Sequence, residues 1–198
     1  MDNINKEKII TNLTRKVMSF SKSGIKTEPI IREIIYELGK LKDVEELASI
    51  GQYAPSEIAS QTVIELGKIN ALLELRYLGL RALEEVAKQA VMELGKLKAV
   101  EELQYLGSNA RRYRSSEEEI SKQSVLELEK MLPKFIRSKA VFELQYLGTY
   151  ASPDIAKQAI IELVELKAIE QLKFIAEHAS DEIAIRSIIE LKKIEISG

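Results

Sequence analysis

The chain has 198 residues, 45% of them hydrophobic and 30% charged, with a formal net charge of −2 and no cysteine or tryptophan. That length suits one domain or a short repeat array, and the balanced charge gives no global attraction to nucleic acid or to an acidic membrane surface. The lack of cysteine excludes disulfides, thiolate chemistry and cysteine-ligated metals, and a single histidine, His178, excludes a histidine-rich metal site.

The opening MDNINKEKII lacks the basic start and apolar run of a signal peptide, and no stretch is apolar over the roughly 18 residues of a membrane span. The expectation is a cytoplasmic protein with no membrane contact. Ile9, Ile10, Leu13, Val17 and Phe20 then recur at helical spacing, which predicts an amphipathic capping helix within residues 1–26, broken by SKSG at 21–24.

From residue 27 onward the chain repeats itself. Residues 83–110, LEEVAKQAVMELGKLKAVEELQYLGSNA, define a unit that returns in 27–54, 55–82 and 152–179. A Glu-Leu pair starting at Glu37, Glu65, Glu93, Glu127, Glu162 and Glu190 marks its first half, and Leu47, Leu75, Leu103, Leu144 and Leu172 mark its second. Each unit therefore holds two short helices, A and B. Gly39, Gly67 and Gly95 are expected to close helix A, and Gly51, Gly79, Gly107 and Gly148 to close helix B. Thr27, Ser152 and Ser180 are the expected N-caps of helix A, followed by first-turn acids such as Glu57, Glu85, Glu119, Asp154 and Glu182. Two glycines per unit interrupt the seam a long coiled coil needs. The reading is an all-α solenoid of about five and a half repeats over 27–198, forming one structural domain.

The pattern A-V-x-E-L-G-K-[LI]-x-A-[VL]-x-E-L-x-x-L-G resembles the short HEAT-like repeats of the phycobilisome-lyase type over about residues 27–194. The resemblance implies a right-handed superhelix with helix B on its concave surface. It does not imply one activity, since such repeats serve enzymes and adaptors alike. The chain departs from that family in lacking its Gly-Asp-x-Arg turn, with Gly95-Lys96-Leu97-Lys98 in its place, and in lacking its helix B proline.

Four groups of residues are candidates for function. On helix B, Tyr77, Tyr105, Tyr146 and Phe174 occupy one outward slot, held by Ser49 in the first unit. They form either an aromatic ladder for a protein partner or covers laid over neighbouring helices. On helix A, the polar side carries a large apolar residue in all six units: Tyr36, Ile64, Met92, Leu126, Ile161 and Ile189. That stripe either sits in the grooves between repeats or is covered by another chain, a homo-oligomer included.

The fourth unit is irregular twice, near 111–116 and near 132–138. The first insertion holds Arg111, Arg112, Tyr113 and Arg114, a set able to grip phosphates, with Glu117, Glu118 and Glu119 offsetting its charge. The repeated glutamates, with Lys three residues on (Glu37 and Lys40, Glu65 and Lys68, Glu93 and Lys96), read as a surface ion-pair ladder rather than as acid-base pairs. His178 reads as a cap at the end of the last helix B.

The sequence thus points to a non-catalytic scaffold for a protein partner, with no cofactor and no metal. A nucleic-acid-associated protein using 111–114 is the alternative, and a lyase-like enzyme or its chaperone is the third.

Overall fold

A computed structural model describes residues 28–109 and 117–197, together with Asn12, Arg15, Val17 and Ser19. Those four are helical, and Val17 is fully buried. Thr27 and the remainder of that segment lie outside the described residues.

The described residues are almost entirely helical, and A and B helices alternate along the chain except where α8 intervenes. The helices are α1 (Glu28–Leu41), α2 (Val44–Tyr53), α3 (Ser56–Lys68), α4 (Leu72–Arg81), α5 (Glu84–Lys96), α6 (Val100–Asn109), α7 (Glu117–Glu129), α8 (Leu132–Ser138), α9 (Val141–Tyr150), α10 (Pro153–Glu165), α11 (Ile169–His178) and α12 (Asp181–Ser197). They fall into two compact units, residues 1–124 and 125–198.

In the first unit A helices stack on A helices (α1 on α3, α3 on α5) and B on B (α2 on α4, α4 on α6). Each B helix packs most closely on the A helix that follows it, as α2 does on α3 and α4 on α5. The tight pair is thus B with the next A, whereas the sequence period pairs A with the next B. The second unit repeats the scheme, with α9 on α11 and α10 on α12, and with close α9–α10 and α11–α12 pairs. Buried apolar residues at helical spacing drive each layer: Val86, Ala90, Val91 and Leu94 on α5, and Leu103 and Leu106 on α6.

The A-to-B turns are closed differently from the sequence expectation. The left-handed residue is Lys42, Asn70, Lys98, Lys139 or Lys167, with φ between 52° and 59°, and not a glycine. Around Lys98 its own N–H donates to the Gly95 carbonyl and that of Ala99 to the Leu94 carbonyl, each at 3.0 Å. This paired pattern satisfies the last carbonyls of helix A. The glycine lies three residues before the left-handed position, inside the helix.

Its role is close approach. A Cβ on Gly39 would stand 3.0 Å from Oε2 of Glu65 on the next A helix, and one on Gly67 would stand 3.1 Å from Oε2 of Glu93. Helix B uses the same device with apolar side chains, since a Cβ on Gly79 would meet Leu106 Cδ1 at 3.0 Å and one on Gly148 would meet Ile175 Cδ1 at 2.5 Å.

Two further expectations change. Ser152 holds the N-cap position of α10, but its side chain makes no capping bond; its backbone N–H instead donates to Glu129 at 2.7 Å. Pro153 opens that helix without an N–H to offer. The insertion near 132–138 is not an open turn but helix α8, with Leu132 and Phe135 buried one turn apart.

Two substitutions test these roles. A Cβ at Gly51 would stand 2.8 Å from both Leu78 Cδ1 and Thr62 Oγ1, and that hydroxyl is held by its 2.7 Å bond to the Ala59 carbonyl. Gly51→Ala should lower stability by about 1–3 kcal/mol in chemical denaturation, although helix propensity alone would raise it by about 1 kcal/mol. Lys98→Gly relieves a left-handed side-chain penalty of about 1–2 kcal/mol and should raise the melting temperature, while Lys98→Val should lower it.

Candidate functional site

The surface that stands out is the outer face of the B helices. Each ten-residue B helix turns its second, sixth and tenth residues outward, one helical turn apart. These rows are Glu45, Ser49 and Tyr53; Leu73, Tyr77 and Arg81; Glu101, Tyr105 and Asn109; Phe142, Tyr146 and Tyr150; and Glu170, Phe174 and His178. Seven of the chain's eleven tyrosines and phenylalanines lie in these rows, so aromatic residues are concentrated on one kind of surface. Phe142 is 69% exposed, Tyr53 65% and Leu73 58%, far more than core packing would leave open.

The middle row, Tyr77, Tyr105, Tyr146 and Phe174, is only partly exposed, because each ring makes one fixing contact. Tyr77 donates its hydroxyl to Gln52 Oε1 at 2.9 Å, tying α4 to α2. The Arg76 guanidinium lies 4.6 Å from the centre of the Tyr105 ring, tying α4 to α6. Tyr146 packs on Tyr150 with ring centres 4.9 Å apart. Phe174 stacks on His178 at 4.1 Å, and the Nδ1–H of His178 donates to the Phe174 carbonyl at 2.9 Å. The histidine thus sits at the helix end as a cap for its own last turn.

Between α2 and α4 the face opens into a groove of about 410 Å³. Ala48, Ser49, Gln52 and Tyr53 form one wall, Leu73 and Tyr77 the other, and the carboxylates of Glu45 and Glu74 also line it. Neither glutamate has an ion-pair partner among the described residues.

The A face carries the other apolar row. Tyr36, Met92, Leu126, Ile161 and Ile189 are each 45–48% exposed, and Ile64 somewhat less. Ile64 and Met92 share an open groove of about 660 Å³ between α3 and α5 with Gln89, Lys68 and Lys96. The Lys40 ammonium lies 4.3 Å above the Tyr36 ring and is held above the ordinary lysine pKa, mainly by its hydrogen bond to Glu37.

The ion-pair ladder forms, with Lys40–Glu37, Lys68–Glu65, Lys96–Glu93 and Lys130–Glu127 at 2.6–2.7 Å and Lys193–Glu190 at 3.0 Å. The Lys40–Glu37 pair is exposed on both sides, but the later rungs are at the surface mainly on their lysine side. Glu65, Glu127 and Glu190 are buried, because each carboxylate rises from the helix interface to meet an exposed ammonium.

Arg111, Arg112, Tyr113 and Arg114 lie outside the described residues. Among the described residues no group of three acidic or histidine side chains is placed to hold a metal, and no helix is long and apolar enough to cross a membrane. Reading the sequence for one slot per helix missed Tyr53, Leu73, Phe142 and Tyr150, which lie four residues to either side of that slot. Extending each slot by one helical turn would have found them. No protein-family model, no curated protein and no solved structure matches the chain.

Stability separates a binding face from a structural cover. Tyr53→Ser and Phe142→Ser should each stay within about 0.5 kcal/mol of the parent in chemical denaturation, whereas Leu75→Ala, fully buried on α4, should cost about 2–5 kcal/mol. A loss of core size at Tyr53 or Phe142 would make those rings part of the fold.

Proposed function

We propose that this chain is a non-catalytic scaffold that binds a protein partner through the exposed face of its B helices. The observation that carries the reading is the set of outward aromatic and leucine side chains, led by Phe142, Tyr53 and Leu73, at positions the core does not use. Rigid aromatic side chains are frequent anchors of protein interfaces, because they supply contact area at little entropy cost. The two grooves are open troughs, which suit a chain segment laid along them better than a reaction that must exclude water. The reading takes the stacked A and B helices as right-handed α-solenoid of the HEAT-like type, for which A-on-A and B-on-B packing and the repeat pattern are the support.

The half-exposed A-helix row favours a second use, self-association through Tyr36, Ile64, Met92, Leu126, Ile161 and Ile189. A single comparison weighs both. Partner capture from nuclease-treated lysate, with light scattering in parallel, is run on the parent, on a B-face variant (Tyr53→Ser, Leu73→Ser, Phe142→Ser) and on an A-face variant (Met92→Ser, Ile161→Ser). The scaffold reading expects one stoichiometric protein, lost with the B-face variant and kept with the A-face variant, at unchanged mass. Capture that depends on nucleic acid, or that survives the B-face changes, overturns it. A parent mass above the monomer that falls with the A-face variant establishes self-association.

A further inference from the structure

The inference rests on the scaffold reading and gives its partner a chemistry. We propose that the groove between α2 and α4 receives a cationic segment of the protein partner, an arginine side chain lying on Tyr53, Leu73 and Tyr77 with its guanidinium at Glu45 and Glu74.

The groove combines two properties. Its walls are apolar and exposed, with Tyr53 and Leu73 each open over more than half their surface. Its charged lining is carboxylate alone: Glu45 and Glu74 line it, and no lysine or arginine does. By contrast Glu37, Glu65, Glu84, Glu93, Glu127 and Glu190 are each matched by a lysine within the chain. Glu45 and Glu74 stand in the first turns of α2 and α4, where the positive helix end favours an acid. That local effect accounts for a carboxylate at the position. It does not account for an exposed leucine and two phenol rings beside it.

The ligand classes separate on charge and shape. An anionic segment would meet two carboxylates. A purely apolar one would cover them and strip their water without a replacement. A cationic side chain with an aliphatic stem answers both features, with the stem on Leu73 and the rings and the head on the acids. Arginine fits better than lysine, because a planar guanidinium stacks on aromatic faces and forks onto carboxylates. The receiving wall is set in advance, since the Tyr77 hydroxyl is fixed on Gln52 at 2.9 Å.

The test uses the full chain and a short fluorescein-labelled peptide of alternating leucine and arginine. Lysine, glutamine and glutamate versions of the peptide are the comparisons. Fluorescence polarisation gives affinity, and backbone amide chemical shifts give position. The arginine peptide is expected to bind saturably, shift amides of α2 and α4, and bind more tightly than the lysine peptide and at least several-fold more tightly than the glutamine one. The double variant Glu45→Gln, Glu74→Gln should weaken it by roughly five- to ten-fold at low salt and less at high salt. Tyr53→Ser with Tyr77→Ser should weaken it at every salt concentration, with far-UV circular dichroism confirming the fold.

The proposal is overturned if the glutamine or glutamate peptide binds as well as the arginine one, if the shifts map to another face, or if the Glu→Gln variant binds unchanged. Failure here is distinct from failure of the scaffold reading. A natural partner lost with Tyr53→Ser and Leu73→Ser but retained by the Glu→Gln variant keeps the scaffold and removes the cationic ligand.

Discussion

Everything in this chain depends on how closely a helix can approach the next helix of its own kind. Glycine provides the notch in both layers. Gly39 and Gly67 admit the glutamates of the following A helix, and Gly51, Gly79 and Gly148 admit Leu78, Leu106 and Ile175 of the following B helix. A notch filled by the neighbour fixes spacing and register together, because any slip drives a side chain into backbone. In the first unit it also explains the unusual glutamate. The stem fills the notch in the A layer, and the carboxylate emerges beside a lysine of its own helix, as Glu65 does at 2.7 Å from Lys68. A shorter acid would fill less of the notch, and an unpaired one would be a costly buried charge.

Because the notches and inward leucines meet the demands of packing, the outward positions are left to other uses. The two outer faces differ in how far their apolar side chains are exposed. On the A face the apolar row lies among lysines whose aliphatic stems share the surface, as Lys68 and Lys96 do in the Ile64–Met92 groove, so half exposure is what a solvated helix tolerates. On the B face Phe142, Tyr53 and Leu73 are more open than any of that row.

What the sequence revealed follows the range of the forces involved. Helix positions and the A and B alternation were legible, since helical periodicity is written within a dozen residues. The glycines were legible as special positions but not in their function. A glycine that ends a helix and a glycine that admits the next repeat look alike locally, and the second is explained only by Glu65 or Leu78 about a repeat away. The left-handed lysines were hidden for the opposite reason. Nothing in a lysine announces positive φ, and Lys42, Lys98, Lys139 and Lys167 adopt it because each turn allows only one or two residues between the end of the preceding helix and the N-cap of helix B. The helix at 132–138 was hidden because an insertion reads as loop until Leu132 and Phe135 find a surface to cover.

On the scaffold reading, the contacts on the B face also bear on how strongly it would bind. Side chains that are free in solution lose rotamer entropy when a partner orders them. Here Tyr77 is held by Gln52, Tyr105 by Arg76, Tyr146 by Tyr150 and Phe174 by His178, so the middle of every aromatic row is ordered before anything arrives. The flanking residues are different: Tyr53, Leu73 and Phe142 project furthest, and adaptation to a partner falls to them. A fixed centre flanked by adjustable residues discriminates by shape at the centre and tolerates variation at the edge. Within the first unit that centre is the Tyr77–Gln52 bridge, which ties together the two helices whose Tyr53, Leu73, Glu45 and Glu74 line the groove.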